Sequence, residues 1–337
     1  MNFILEKLLN GISLSIEEST DTADLIMNGK VNNSQIAALL TALKIKGETP
    51  EEIAGFAKAM RNNGVKIISN DPDTIDVCGT GGDNSGSFNI STAVSFVVAG
   101  AGVKVAKHGN RSITSKSGSS DVLNELGVKI DLTPEKSEQA LEEIGITFLF
   151  APIYHPAMKN VAPVRLELKF KTIFNVLGPL TNPANTRKQM IGTYNFNIAE
   201  KMAHAAKLLG MEDVTFVCTN DRYDEITLTS SSRLISLIGS ELNTKEIDAS
   251  IFGYQKIELN DIAGSTPQGN SKIILDLFSK PQRNAHFEVV AANAAVALYT
   301  SGKYEILEES QKAAEDSILS GKALKKLNEL IEFGKSG

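Results

Sequence analysis

The sequence contains no tryptophan, only two cysteines, and no apolar run long enough to cross a membrane. Cys78 and Cys218 cannot build a disulfide framework, and neither has a second Cys or a His at ligand spacing, so no zinc site is suggested. Two buried, reduced thiols in a cytoplasmic protein are expected. The most apolar stretch, residues 93–103, falls far short of the roughly 20 residues a membrane helix needs and reads as a buried helix. Near the N-terminus, Glu6 and Lys7 interrupt an apolar run that would otherwise resemble a secretory signal. Positive charge is also short. With 34 Lys and Arg against 40 Asp and Glu, the net charge is -6, which argues against a general nucleic-acid or anionic-membrane binder. Any anion site must come from local arrangement.

What is present suits a globular protein. The 337 residues are 42% hydrophobic and 22% charged, enough for about two domains with ordinary cores. The first 65 residues read as a helical array. Ser15 with Glu18 and Thr49 with Glu52 are capping-box patterns, and Asn28-Gly29, Gly47 and Asn63-Gly64 are stop signals. From Thr74 onward, short apolar runs alternate with helical patterns: TIDVC, VKVAK, ITFLFAP, MIGTYNF, VTFVCTN and RLISLIG, with closing helices near 287–300 and 307–334. Strands alternating with helices predict a mainly parallel sheet covered by helices, so the fold class is α/β with a small all-helical domain attached.

Residues 84–120 contain no Asp or Glu, although at the chain's average about four would be expected. The same window carries Lys104, Lys107, His108, Arg111 and Lys116 among glycines, serines and threonines. A multiply charged phosphate wants backbone N–H groups from glycine-rich turns, hydroxyl donors, helix N-termini and a few cations. A Ser/Gly surface loop is the plainer alternative. The loop GTGGD at 79–83 lies between a predicted strand and a predicted helix. It is neither a Walker A loop nor a dinucleotide fingerprint, because no Gly-Lys-Ser/Thr follows and Asn84 stands where a third glycine would be. Asp83 there could serve a metal, a ribose hydroxyl or the turn itself. Asp224-Glu225 follows the predicted strand VTFVCTN, where ligands bind in open α/β sheets. The pair is either a Mg²⁺ site shared with substrate phosphates or a solvated surface pair.

Six stretches occur together and in order: GTGGD (79–83), FNIST (88–92), VAKHGNRS (105–112), SKSGSSDVLNELG (115–127), FLFAPIYHPAMKNVAPVR (148–165) and TIFNVLGPLTNPA (172–184). In these the sequence resembles the anthranilate phosphoribosyltransferase family, up to about residue 225 and more weakly beyond. The resemblance implies a nucleoside phosphorylase/phosphoribosyltransferase-like fold. Residues 1–70 and 160–188 would form the helical, dimerising domain on the anthranilate side. Residues 71–159 and 189–337 would form the α/β domain for phosphoribosyl pyrophosphate and magnesium. It also implies transfer of the phosphoribosyl group of 5-phosphoribosyl 1-pyrophosphate to the amine of anthranilate, the second step of the tryptophan branch from chorismate. The lack of tryptophan fits, since such an enzyme can be made when tryptophan is scarce.

By resemblance, Gly79, Gly82, Asp83, Ser87, Asn89, Ser91, Thr92, Lys107, Gly109, Asn110, Arg111, Ser115 and Ser119 bind the sugar pyrophosphate. Gly79, Asn110 and Arg165 bind anthranilate; Ser91, Asp224 and Glu225 hold Mg²⁺. Lys107 and His108 act electrostatically, without a general acid or base. The sequence departs from the family pattern at Ser87 (more often Thr), Asn84 (Gly), Ser120 (Ala) and Lys171 (Arg), the last losing a bidentate fork. The partners implied are the two small-molecule substrates and a second copy of the chain, with neither nucleic acid nor membrane. Two rival functions are distinguishable by assay. A nucleoside phosphorylase would cleave thymidine or uridine with phosphate, and a nucleic-acid binder using 104–116 would show a salt-dependent gel shift.

Overall fold

The computed structural model of the chain describes residues 1–83, 85–111 and 117–335. Four helices open it: α1 (Asn2–Leu9), α2 (Ile16–Met27), α3 (Asn33–Lys46) and α4 (Pro50–Asn62). Both capping boxes form. The Ser15 and Thr49 side chains accept the N–H groups of Glu18 and Glu52, whose carboxylates reach back to the cap N–H groups. Glu52 is fully buried and also accepts the Leu14 N–H and pairs with Lys46 at 2.9 Å, fastening the α1–α2 link, the end of α3 and the start of α4 at one carboxylate.

Seven strands form one sheet: β1 (Ile75–Gly79), β2 (Val105–Gly109), β3 (Ile146–Phe150), β4 (Lys188–Gly192), β5 (Asp213–Thr219), β6 (Ser232–Ile238) and β7 (Glu241–Ile247). The order is β3-β2-β1-β4-β5-β6-β7. The first five strands are parallel, while β5–β6 and β6–β7 pair antiparallel. The antiparallel edge departs from a simple strand–helix alternation, and β7 has no apolar signal because only its Ile247 is buried. The single closing helix expected over 307–334 is two, Leu307–Leu319 and Lys322–Lys335, separated at Gly321 with φ +78°. Helices Pro134–Glu143 and Pro267–Ser279 were not anticipated either.

Each face of the sheet has its own core. On one, helix α5 (Ile90–Gly100) packs with helix Ala285–Thr300 and the two C-terminal helices. The other face is shared: residues of α1–α4, residues 161–180, helix Phe196–Leu208 and the sheet residues Ile191 and Phe216 form one continuous core. Phe174 of the returning segment meets Phe56 of α4 edge-on at 5.8 Å. The helical N-terminus and the segment 160–188 thus pack together, but their core runs on into the sheet. Among the described residues no helix is long and apolar enough to cross a membrane.

Two features of the sheet open a crevice at its C-terminal end. Strand order reverses between β1 and β4, the place where open α/β sheets bind ligands. And β1 pairs with β4 from Ile75↔Lys188 to Gly79↔Gly192, yet with β2 only at Ile75↔Val105, so the β1–β2 seam parts toward the strand ends.

Candidate active site

Strands β1 and β4 end in paired glycines, and the loop after β5 folds back over both. A tight turn, with Asn220 and Asp221 at φ +52° and +51° and a bridge between Thr219 and Tyr223, delivers Asp224 and Glu225 to the crevice. A Cβ at Gly79 would lie 2.7 Å from Asp224 Oδ2, and one at Gly192 would run into the Asp224 main chain. Asp224 Oδ2 accepts the Gly81 N–H at 2.9 Å. Close approach, then, is why both strands end in glycine. Gly82 has φ +73°, and its carbonyl accepts a 2.7 Å bond from Lys171, whose ammonium also sits 3.3 Å from the centroid of the Tyr194 ring. Asp83 closes its own turn by accepting the Ser85 N–H.

A second corner lies beside it. Glu225 Oε1 accepts the Ser91 N–H at the start of α5. Lys107, almost fully buried on β2, donates to the Val77 carbonyl at 2.6 Å and reaches Ser91 Oγ at 3.5 Å. The structure therefore brings Ser91, Lys107, Asp224 and Glu225 together with the glycine loop. Burial, with Asp83's charge and hydrogen bond, pushes Asp224 up to about 7. Burial and Asp224 raise Glu225 well above the carboxylate range, against the pull of Lys107, whose own pKa burial lowers. Among the described residues no three His, Cys, Asp or Glu form a closed metal cage. Adjacent carboxylates that cannot comfortably both be charged nevertheless suit a cation that completes its shell with phosphate and water.

The remaining predicted residues spread along the seam. Ser87 bridges to Ala263 and shares a hydrogen bond with Ser85. The Asn89 amide is already engaged with Ser117 and Asn270, so a ligand there must displace one of them. Thr92 is fully buried with its hydroxyl unpartnered, and it offers a ligand no exposed face. Gly109 ends β2, packed under the Ser119 hydroxyl and the Phe148 ring. Ser119 donates to the Asn110 carbonyl, and the Asn110 side chain accepts the Arg111 N–H. Arg111 lies 5.7 Å from the Phe150 ring centroid. Ser115 lies outside the described residues, as do Asn84 and Lys116.

His108 and Arg165 line the helical side. His108 Nδ1 faces the Gly178 carbonyl at 3.2 Å, so that nitrogen carries the proton and Nε2 is a bare, buried, unpartnered acceptor. Burial, helped by His155 5.1 Å away, holds His108 down at about 3. Arg165, in helix Ala162–Leu168, is half-buried, 5.8 Å from the Phe174 ring, and among the described residues makes no salt bridge, with Glu167 or otherwise. No hydrogen bond ties it to the glycine loop. Sequence reasoning missed Asp76, Asn182, Tyr194 and Asn270. Only Asp76 left a trace, as a lone acid inside the apolar run TIDVC.

A helical bundle followed by an α/β domain with this crevice is a known pairing. The model described as "Glycosyl transferase family, helical bundle domain" matches residues 3–64, and "Glycosyl transferase family, a/b domain" matches residues 71–324. The chain is thus a glycosyl transferase of that class. The anthranilate phosphoribosyltransferase of Acetivibrio thermocellus is 45% identical over 332 residues, covering 98% of this chain and 96% of that one. The crystal structure of the Thermus thermophilus anthranilate phosphoribosyltransferase superposes with a TM-score of 0.93 at 35% identity, covering 98% and 99% of the two chains. That of Saccharomyces cerevisiae, in complex with PRPP and Mg, gives 0.91 at 28% identity over 100% and 98%. The chain belongs to the anthranilate phosphoribosyltransferase family.

Proposed function

We propose that this chain transfers the phosphoribosyl group of 5-phosphoribosyl 1-pyrophosphate to the amine of anthranilate, giving N-(5-phosphoribosyl)anthranilate and pyrophosphate. The observation that carries the reading is the 45% identity to an anthranilate phosphoribosyltransferase across almost the whole of both chains. The crevice supports it. In the reaction the bond between the anomeric carbon and the pyrophosphate oxygen breaks, a C–N bond forms on the same carbon, and the amine loses a proton. The passing state resembles an oxocarbenium ion, and negative charge gathers on the leaving pyrophosphate.

In this reading the glycine loop (Gly79, Gly82, Asp83), Ser87, Asn89, Ser91, Gly109, Asn110, Arg111 and Ser119 cradle the sugar pyrophosphate through backbone N–H groups and short polar side chains. Lys107 supplies a fixed positive charge from the base of the crevice. Asp224 and Glu225, with Ser91, would hold Mg²⁺, which neutralises the leaving group. Arg165, a guanidinium without a salt bridge among the described residues, would take the anthranilate carboxylate in a fork and leave the amine turned toward the sugar. Gly79 and Asn110 would line the same acceptor pocket. The amine is neutral at pH 7 and needs no strong base. His108, neutral and fixed, provides polarity and no proton, so catalysis is positioning and electrostatics.

The division into 1–70 with 160–188 and 71–159 with 189–337 belongs to the same reading, with both substrates in the cleft between. So does a cytoplasmic homodimer built on the helical side, where Phe3, Leu9, Ile45 and Leu166 are exposed. Sedimentation at micromolar concentration should give twice the chain mass. The function is tested by anthranilate fluorescence. It should fall only when the pyrophosphorylated sugar and Mg²⁺ are both present, with pyrophosphate released in equal amount. Phosphate-dependent cleavage of thymidine or uridine in its place would overturn the reading.

A further inference from the structure

Where the β1–β2 ladder stops, side chains replace it. Beyond Ile75↔Val105 the two strands are joined by the Asp76 carboxylate, whose Oδ1 accepts the His108 N–H at 3.1 Å, and by Lys107, which donates to the Val77 carbonyl at 2.6 Å. Asp76 has no exposed surface. Its other oxygen accepts from Asn182 Nδ2 at 2.8 Å and, at 3.5 Å, from Gln189 Nε2 on β4. Asn182 in turn donates to the Ala106 carbonyl on β2 and accepts the Ala184 N–H. A carboxylate so deeply buried is costly unless its lone pairs are filled, and burial does push it up to about 6 against the pull of Lys107, Asn182 and the His108 N–H. An apolar residue would pack there more cheaply, yet it would leave the His108 N–H and one N–H of the Asn182 amide unsatisfied.

We propose that Asp76 is a positioning residue: with Asn182 it fixes the Lys107–His108 peptide across the opened seam and so sets where the Lys107 ammonium stands in the crevice. The strut stands in for the ladder bonds missing between β1 and β2 and denies Lys107 the freedom to retreat. The proposal rests on the reading that Lys107 serves the sugar pyrophosphate.

Asp76→Asn keeps the shape and the acceptor toward His108, but turns an NH₂ onto the Asn182 donor. Losing one charge-assisted hydrogen bond should raise the KM for the sugar pyrophosphate about tenfold or more, with the KM for anthranilate unchanged. Combined with Lys107→Met, Asp76→Asn should add little to the loss that Lys107→Met causes alone. Should Asp76→Asn not fold, Asn182→Ser should give the same split between substrates. Unchanged kinetics, equal damage to both substrates, or losses that add to those of Lys107→Met would each overturn the role of Asp76. A harmless Lys107→Met would instead overturn the reading of Lys107, and the proposal with it.

Discussion

Arg165 and His108 differ in what burial does to them. Arg165 keeps its charge half-buried beside an aromatic ring and, among the described residues, makes no salt bridge, an arrangement that favours an incoming anion. Arg165→Ala should raise the anthranilate KM on the order of tenfold, the loss of a charge-assisted bond of roughly 1.5–3 kcal/mol, and leave the sugar KM in place. Equal damage to both substrates with a lowered Tm would make it a structural residue. His108 and His155 are instead held neutral by burial, at about 3 and about 4 against an ordinary 6.5. Between those values and 6.5 the unfolded chain binds protons that the folded chain refuses. The stability present above pH 6.5 is therefore lost progressively as pH falls toward 4 and then 3. A His108→Gln variant should show a shallower fall of Tm from pH 6.5 to 4.5 than the parent, whereas superimposed profiles would refute the assignment.

Elements matter here mainly through their ends. Helix starts at Ser15 and Thr49 were readable because a capping box is local chemistry, complete within four residues. The strand ends at Gly79 and Gly192 were not. Their need for glycine comes from Asp224, far away in sequence, folding back over them. For the same reason Gly79→Ala should fold, but its new Cβ, 2.7 Å from Asp224 Oδ2, should displace that carboxylate and depress magnesium-dependent turnover more than anthranilate binding. Turnover kept at low magnesium would show that the close approach is dispensable. Likewise β7 escaped notice because a polar edge strand has no inward face to write an alternating pattern, and the break at Gly321 because a helical stripe continues on both sides of it.

Across the whole molecule, the order of sequence motifs proved a better guide than any one of them. The acid-free window 84–120 and the pair Asp224-Glu225 pointed separately to phosphate and to metal, and the fold sets Ser91 and Lys107 from the first against Glu225 from the second. What stayed hidden was long-range and polar: Asp76 with Asn182, Lys171 with Tyr194, Asn89 with Asn270. Such contacts join elements that no local pattern relates. In the proposed function the crevice at the ends of β1 and β4 holds Mg²⁺ and the sugar pyrophosphate together. A magnesium titration of turnover, comparing the parent with Asp224→Asn, Glu225→Gln, tests it most directly, because both changes keep shape and remove charge. The variant should stay folded, with a Tm no lower than the parent's, and show almost no turnover at magnesium levels that saturate the parent; parental turnover at low magnesium would contradict the assignment.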